Sequence, residues 1–434
     1  MSDPVLGFAG MTHLGLVSGI CATEKGFSAV CFDPSDSRIA ALARCELGVS
    51  EPQLDDLLAR NAARLSFTSR AADLAACDAI YVAPDVSTDD HGASDLGPID
   101  ALLDIVFSSA RADAAIVVLS QVPPGFTRAR QRPGRTLIYQ VETLIFGRAV
   151  ERALYPERYI LGCADPAQPL PASYAQFLAA HDCPVLRMGY ESAELAKIAI
   201  NMCLVASVTT ANTLAELCES IGADWSEILP ALKLDKRIGQ HAYLAPGLGI
   251  AGGNLERDLA TVCSLADRYG TDAGVVRAWT ANSKHRRGWA ARTIRSALLD
   301  GNPGATVAVW GLAYKENTHS VKNSPALATI AELPDTRLVL HDPMVPASVV
   351  RHPKAECVSD PLAAAAGADA LMILTPWPQY RSIHAADIAK ALRGRIVLDP
   401  YGVLDHRAAL VAGLEILTLG KPPLRAQRQP CSNT

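Results

Sequence analysis

Hydrophobic and polar positions alternate along the first third of the chain in short blocks that predict strands separated by helices. Four apolar runs, rich in small and branched side chains and bounded by turn residues, have the pattern of buried parallel strands. They are Val5–Ala9, Ala29–Phe32, Ala79–Ala83 and Ala115–Leu119. Amphipathic stretches such as Ser37–Leu42 and Gln53–Arg60 lie between them. This alternation predicts βαβ units and a doubly wound parallel sheet.

The middle of the chain changes to a helical pattern. No proline or glycine interrupts Ser192–Ser220, and Gly222 follows as a C-cap. A helix of this length is long for a globular domain and is typical of a spine that joins two lobes. The glycine-rich loop Lys236–Gly253 comes next and is too long to be an idle connection. Helical patterns resume over Asp258–Leu299.

A second alternating segment follows the linker sequence Gly301–Gly304. Its strand-like runs are Thr306–Trp310, Arg337–Leu340, Ala370–Leu374 and Arg395–Leu398. We therefore predict an α/β protein with two Rossmann-like doubly wound domains, 1–188 and 304–420, joined by a long central helix and a helical domain, 189–300. Residues 421–434 are rich in proline and arginine and are expected to be disordered.

Composition narrows the classes of partner and compartment. The chain has 434 residues, which exceeds one hydrophobic core and supports several domains. Its net charge of -5, with no basic stripe, argues against nucleic acid as a partner. No apolar run reaches the roughly 18 residues that span a bilayer, and the N-terminus lacks the features of a signal peptide. We expect a cytoplasmic protein with no membrane partner.

The chain has 11 cysteines, which raises the question of disulfides or a metal. They form no CxxC pair and no Cys/His cluster at zinc spacing. Most lie in apolar surroundings, as Cys31 and Cys203 do. We expect buried, reduced thiols that act as small hydrophobic side chains, and no metal site.

The first strand leads into a glycine loop that resembles a dinucleotide-binding fingerprint. Gly10 allows the tight turn and Gly15 allows close packing of helix and strand, but Thr12 replaces the middle glycine. That threonine should push the phosphate outward or offer it a hydroxyl. Asp33, at the end of the second strand, favours NAD over NADP because its carboxylate would repel a 2′-phosphate. The alternative for Asp33 is a helix N-cap, and His13 is expected to be a loop residue near the cofactor.

Five separated segments carry motifs of one family. They are Gly48–Leu54 (GVSEPQL), Ser120–Pro123 (SQVP), Tyr190–Asn201 (YESAELAKIAIN), Lys236–Gly239 (KRIG) and Gly311–Pro325 (GLAYKENTHSVKNSP). Through these motifs the chain resembles the UDP-glucose/GDP-mannose dehydrogenase family over nearly its whole length. The resemblance implies an N-terminal NAD domain, a central dimerisation domain and a C-terminal nucleotide-binding domain. It also implies a homodimer or higher homo-oligomer, and oxidation of a sugar C6 alcohol to a carboxylate with two NAD through a cysteine thioester.

The resemblance assigns catalytic roles to polar residues that this chain retains. Lys197 and Asn201 are four residues apart, so both project from one helix face and can donate hydrogen bonds to a sugar oxygen that gains charge. Asp258 holds the place of an aspartate that acts with a water as base. Glu142 is expected to contact the substrate or the nicotinamide ribose, with a structural ion pair as the alternative. The alternative for Lys197 is a solvated helix lysine.

The resemblance also assigns contacts with the ligands. For NAD these are Gly10, Thr12, Gly15, Asp33, Arg38, Thr88, Ser120 and Lys322. For the substrate they are Arg237, Lys315, Tyr401 and Gln121. Arg237 is expected to reach a neighbouring subunit's substrate with its planar guanidinium. Lys322 takes the place of an arginine and should meet NAD phosphates as a point charge.

The largest departure from the family lies in the loop that holds its nucleophile. Asn254 stands where the catalytic cysteine belongs, and an amide cannot attack an aldehyde as a thiolate does. Gln121, Phe146 and Tyr401 replace a threonine, a glutamate and an arginine of the family, and His319 and Ser320 alter another of its motifs. We therefore predict NAD-dependent oxidation of a nucleotide sugar that stops after one two-electron step, or forms the acid slowly through the aldehyde hydrate. The alternatives are an epimerase that retains NAD and a weakly active nucleotide-sugar-binding relic.

Overall fold

The computed structural model describes residues 3–89 and 92–425. The chain divides into two compact units, Met1–Ile200 and Asn201–Thr434. This division falls inside the long helix that the sequence predicts. The three domain ranges given above therefore remain predictions, while the α/β class with two Rossmann-like sheets is confirmed.

The first unit contains an eight-stranded sheet in the order β3-β2-β1-β4-β5-β6-β7-β8. All neighbouring strands are parallel except β6 and β7. The order reverses between β1 and β4, which opens a crevice at the carboxyl ends of these strands. The strands are β1 (Val5–Ala9), β2 (Ser28–Phe32), β3 (Leu65–Thr68), β4 (Ala79–Val82), β5 (Ala115–Val118), β6 (Thr136–Gln140), β7 (Tyr159–Cys163) and β8 (Val185–Gly189).

Helices cover both faces of this sheet, so its central strands are buried on both sides. Helix α1 packs against β1, β2, α3 and α6 on one face, and α4 packs against β4 on the other. The helices are α1 (His13–Glu24), α2 (Asp36–Ala43), α3 (Leu54–Asn61), α4 (Gly97–Ser109), α5 (Phe126–Ala129), α6 (Ala149–Leu154), α7 (Ala172–Ala179) and α8 (Tyr190–Ile221).

Helix α8 is the predicted spine, and it begins two residues earlier and ends one residue later than the pattern indicates. Gly222 follows it with a φ of +81°, a backbone conformation that glycine adopts without strain. Among the described residues, α8 is the one helix long and apolar enough to cross a membrane by length and composition. The expectation that no segment is long and apolar enough to span a bilayer is wrong, because the mean hydropathy of α8 stays high despite its few polar residues. Glu194, for example, is fully buried and accepts hydrogen bonds from the backbone of Gly125 and Thr127.

The second unit contains a six-stranded, fully parallel sheet in the order β11-β10-β9-β12-β13-β14. This order repeats that of the first six strands of the other sheet. The strands are β9 (Thr306–Trp310), β10 (Arg337–His341), β11 (Ala355–Cys357), β12 (Ala370–Ile373), β13 (Ile396–Leu398) and β14 (Glu415–Leu417).

In the described part of the second unit, four helices lie between α8 and the sheet in the sequence, and five lie between strands of the sheet. Residues of both groups contribute to the buried cores of this unit. Residues 421–425, within the tail expected to be disordered, are described, and Leu424 pairs with Ile416. The rest of that tail lies outside the described residues. The helices are α9 (Trp225–Leu234), α10 (Asn254–Tyr269), α11 (Gly274–Arg287), α12 (Trp289–Ile294), α13 (Pro325–Ala331), α14 (Pro361–Ala365), α15 (Pro378–Arg381), α16 (Ala385–Ala391) and α17 (His406–Val411).

The ten cysteines within the described residues are all free thiols. Five are buried, and burial raises the pKa of the Cys21 thiol to about 12, so that group remains protonated. The expectation of burial is wrong for Cys45, Cys203 and Cys357, which are exposed. Cys203 has apolar neighbours in sequence, but it lies on α8, where apolar side chains occur on all sides of the helix. Its neighbours therefore do not show which face of the helix is buried.

His181 makes the stability of the first unit depend on pH. It is buried between Tyr159 and Phe177, and burial lowers its pKa from 6.5 to about 4. A folded-state pKa below the unfolded one stabilises the fold above about pH 6.5, and this contribution is lost as the pH falls toward 4. The loss should reach about 2 kcal/mol at pH 5.

We expect His181→Phe to reduce the fall in melting temperature between pH 7.5 and pH 5. Phenylalanine retains the ring packing and carries no proton. Thermal unfolding at both pH values measures the effect, with His384→Phe as a control at an exposed histidine. An equal fall in the wild type and in His181→Phe would contradict the role of this imidazole.

Candidate active site

The loop after β1 has the backbone of a dinucleotide-binding turn. Gly10 has a φ of +97°, and its N–H donates to the carbonyl oxygen of Phe32 at 2.9 Å. A Cβ on Gly15 would overlap the carbonyl oxygen of Gly10. Both positions therefore require glycine, one for conformation and one for the close approach of α1 to the loop. The tight turn predicted at Gly10 and the close packing predicted at Gly15 are both present.

Asp33 and Arg38 hold this loop in place. The Asp33 carboxylate accepts hydrogen bonds from the backbone N–H groups of Met11 at 2.8 Å and Ser35 at 3.0 Å. The N-cap of α2 is Ser35, so the alternative interpretation of Asp33 as the helix cap is wrong. Arg38 donates from Nε to the carbonyl of Met11 and from Nη2 to the carbonyl of Leu47. Arg38 thus shapes the loop. Asp33 is half-buried, and its contact with the ribose hydroxyls remains a prediction.

Thr12 contacts a residue that the sequence reasoning missed. Its hydroxyl oxygen accepts the backbone N–H of Asp85 at 2.7 Å, and the N–H of His13 donates to the Asp85 carboxylate at 2.9 Å. Asp85 follows β4, which the parallel sheet places beside β1. The sequence does place a polar residue just after a central strand, a position where ligand-binding residues of such sheets lie.

His13 joins the glycine loop to a second segment. Its Nε2 lies 2.8 Å from the buried Glu51 carboxylate, which also accepts the backbone N–H groups of Gly147 and Ala149. The ring of Phe146 packs against His13 with centroids 4.2 Å apart and the ring planes tilted by 33°. Glu51 belongs to the GVSEPQL motif, so this motif ties residues 146–149 to the glycine loop. Phe146, where the family has a glutamate, supplies an aromatic face and no acid.

The predicted contacts on the neighbouring loops differ in their accessibility. Ser120 is fully buried and donates its hydroxyl to the carbonyl of Pro84 at 2.5 Å, so its side chain braces two loops. Thr88 is half-buried and pairs with Ser94 through a backbone bridge. Gln121 is half-buried next to Ser120. Their contacts with ligands remain predictions.

Lys197 forms an ion pair with Glu142 within the first unit. The Nζ of Lys197 lies 3.3 Å from Oε2 of Glu142, and both side chains are largely buried. The other oxygen of Glu142 accepts the backbone N–H of Leu144. The lysine is therefore not a solvated helix residue, and the ion pair expected as the alternative for Glu142 exists. An ammonium has three N–H donors, so Lys197 can pair with Glu142 and also donate to a substrate oxygen.

Asn201 and Asp258 form a second pair, within the second unit. The Asn201 amide donates to Asp258 Oδ2 at 2.5 Å, and Nε of Arg257 lies 3.4 Å from the other oxygen. Asp258 is 1% exposed. The predicted amide and carboxylate are brought together.

Asn254 is the first residue of α10, and its side chain is exposed. The helix begins four residues before the predicted start at Asp258, so the end of the nucleophile loop forms the first turn of α10. The segment Gly252–Glu256 is held by the C-terminal motif: Asn323 donates to the carbonyl of Gly252 and to Glu256. The N–H of Gly252 donates to the carbonyl of Lys322 at 3.2 Å.

The remaining predicted substrate residues lie at separate places in the second unit. Tyr401 is half-buried against the sheet core, and burial raises the pKa of its phenol, which hydrogen-bonds the backbone of Leu248. The Lys315 ammonium lies 5.8 Å from the centre of the Tyr314 ring. Arg237 is highly exposed and pairs with Asp235 in its own loop. Substrate contacts of Tyr401, Lys315 and Arg237, and the NAD contact of Lys322, remain predictions.

The first unit fits a dinucleotide. The positive-φ glycine, the glycine contact at the start of α1 and the carboxylate after β2 occupy the crevice where the strand order reverses. Among the described residues no group of three or more metal-ligating side chains lies close enough to hold a metal ion.

Comparison with known proteins identifies the family. The chain matches the NAD binding domain of the UDP-glucose/GDP-mannose dehydrogenase family over residues 5–177, its central domain over 191–284 and its UDP binding domain over 308–406. The chain belongs to the UDP-glucose/GDP-mannose dehydrogenase family. Members with this set of domains are NAD-dependent oxidoreductases of nucleotide sugars, so the predicted family, cofactor and substrate class are confirmed.

Individual relatives cover nearly all of the chain. A UDP-glucose 6-dehydrogenase of Pseudomonas aeruginosa is 30% identical over 95% of this chain and 96% of its own length. The UDP-glucose 6-dehydrogenase TuaD of Bacillus subtilis is 28% identical over 96% and 93%. A solved UDP-glucose dehydrogenase from Pyrobaculum islandicum has a TM-score of 0.81 at 29% identity, over 92% of this chain and 94% of that chain. These relatives do not favour the epimerase or the binding relic.

Proposed function

We propose that this family member oxidises the alcohol of a nucleotide sugar by one hydride transfer and releases the product at the aldehyde level. The observation that carries the proposal is Asn254 at the start of α10, in the place of the family's nucleophilic cysteine. The hydride-transfer residues Lys197, Asn201 and Asp258 are retained with their partners.

The retained residues supply the proton chemistry of such a step. NAD, when bound, accepts the hydride. The alcohol must lose its O–H proton as the C–H hydride leaves, and a carboxylate such as Asp258, acting through water, can accept that proton. The Lys197 ammonium and the Asn201 amide donate hydrogen bonds to the oxygen while negative charge develops on it. These donors stabilise the transition state without a covalent bond to the enzyme.

The second oxidation of the family requires chemistry that an asparagine does not offer. A thiolate adds to the aldehyde and makes a tetrahedral adduct from which a second hydride can leave. The Asn254 amide is neutral and a poor nucleophile. Phe146, at the place of a family glutamate, packs against His13 and has no proton to exchange. Acid can then form only from the aldehyde hydrate, which is a slower route.

UDP-glucose is the first substrate to test, since the relatives named above are UDP-glucose 6-dehydrogenases. Gln121 and Tyr401 stand where that family carries other side chains, which supports a screen that includes UDP-N-acetylhexosamines and GDP-mannose. The nucleotide is expected to bind the second unit, which matches the UDP binding domain.

The ratio of NADH to consumed sugar tests the one-step proposal. We expect one NADH per nucleotide sugar and, with hydroxylamine present, an oxime detected by mass spectrometry. Trapping is needed because an aldehyde hydrates and can be oxidised slowly. Two NADH per sugar at a single rate, with uronate and no oxime, would contradict the proposal while leaving the dehydrogenase activity intact.

We further propose a cytoplasmic homodimer or higher homo-oligomer, with the three-domain division 1–188, 189–300 and 304–420. Helix α8 supports the assembly because it exposes large apolar side chains that a second copy could cover. They are Leu195, Leu214, Leu217 and Ile221. Arg237, 90% exposed at its side chain, is available to reach a neighbouring subunit. Light scattering on the purified protein tests the oligomeric state.

A further inference from the structure

The start of helix α1 carries a carboxylate at the place where a dinucleotide phosphate would bind. The first N–H of the helix, on His13, donates to Asp85 at 2.9 Å. The Asp85 backbone is fixed there because its own N–H donates to the Thr12 hydroxyl at 2.7 Å. Thr12 is the residue that replaces the middle glycine of the fingerprint, so the residue that departs from the fingerprint is also the one that holds Asp85 in place.

A helix N-terminus attracts one anion through its free N–H groups and the helix dipole. A pyrophosphate and the Asp85 carboxylate therefore compete for the same positive end. Unlike a neutral residue, Asp85 also places a negative charge beside the ligand's own negative charges.

The surrounding charges do not neutralise this carboxylate. Asp33 and Glu51 are two further carboxylates that contact the same loop and its first helix residue. The Arg38 guanidinium donates to the carbonyl groups of Met11 and Leu47. Among the described residues, Asp85 has no ion-pair partner, and it is exposed.

We propose that Asp85 is a built-in competitor of the dinucleotide phosphates, which weakens cofactor binding and favours its release. The carboxylate must leave the His13 N–H or share the helix N-terminus when the pyrophosphate arrives. This role concerns cofactor binding, so it is independent of whether the sugar is oxidised once or twice.

Binding of cofactor fragments tests the proposal without any measurement of activity. ADP-ribose carries the pyrophosphate, whereas adenosine carries no phosphate. We expect Asp85→Asn to bind ADP-ribose and NAD about tenfold more tightly than the wild type by calorimetry, on the scale of removing one nearby like charge. Adenosine affinity should not change. The difference for ADP-ribose should shrink as salt is raised, because salt screens an exposed charge.

Two further variants complete the design. Asp85→Ala removes both the charge and the acceptor and should show at least the gain of Asp85→Asn. Asp113→Asn removes an equal charge just before the amino end of β5, whereas the crevice lies at the carboxyl ends of the strands, and it should leave ADP-ribose affinity unchanged. Unchanged or weaker ADP-ribose binding in Asp85→Asn would overturn the proposal, as would a parallel gain for adenosine. A gain in Asp85→Ala alone would also overturn it, because charge would then not be the cause.

Discussion

Asn254→Cys is expected to convert the one-step oxidation into a two-step oxidation and to raise the yield from one NADH per sugar toward two. The substituted side chain would stand at the first position of α10, where the helix N-terminus lowers the pKa of a thiol and favours the thiolate. Its sulfur would add to the aldehyde, a second hydride would leave the adduct, and water would cleave the resulting thioester to the uronate. Stoichiometry of NADH and mass spectrometry of the product measure the change.

Asn254→Ser provides the matched control for this experiment. Serine has a similar small size and exposure but is a weak nucleophile without a paired base, so its product should remain that of the wild type. If Phe146 slows thioester hydrolysis, intact-protein mass spectrometry of Asn254→Cys should show a sugar adduct after a burst of NADH. Neither uronate nor adduct would mean that the pocket presents the sugar in another orientation.

Lys197→Met should lower kcat by about 10²- to 10³-fold and change KM little. The methionine has a similar length and apolar stem, but it cannot donate a hydrogen bond to the developing alkoxide. Its loss therefore weakens binding of the transition state more than binding of the substrate. Steady-state kinetics with the substrate found in the screen measure both constants.

The partner of Lys197 requires a stability control. Removal of the ammonium leaves the largely buried Glu142 carboxylate without its ion pair, which costs about 3 kcal/mol. Lys197→Met/Glu142→Gln removes both charges and should recover stability but not activity. Lys390→Met, at an exposed helix lysine, should keep full activity. A loss of less than about threefold in Lys197→Met would show that this lysine is not catalytic.

The sequence predicts eight of the strands and the spine closely, because burial on both faces of a sheet gives a strand a short apolar run. The buried interior strands Thr136–Gln140 and Tyr159–Cys163 are not among the predicted runs. Val5–Ala9 and Thr306–Trp310 match in full, and each of the other six runs differs by one residue at one end. Edge strands are harder. Leu65–Thr68 and Ala355–Cys357 are short and only partly buried, and their state depends on a neighbouring strand rather than on their own pattern.

The candidate site follows the same division between local and long-range information. Gly10, Gly15 and the pair Lys197/Asn201 are visible in the sequence because their spacing is local. Asp85 is not, since it is 72 residues from His13 and reaches it only through the pairing of β1 with β4. The sequence shows that Phe146 replaces a glutamate of the family. Its contact with the ring of His13 is seen only in the folded structure, because the two residues are far apart in the sequence.

Each sheet is built from one uninterrupted stretch of chain, the first from residues 5–189 and the second from residues 306–417. During synthesis, every strand of the first sheet leaves the ribosome before any strand of the second is made. Domains generally fold as units in this order, N-terminal first. The cofactor crevice can therefore form on the nascent chain, and NAD can bind and stabilise it before the nucleotide-sugar domain exists.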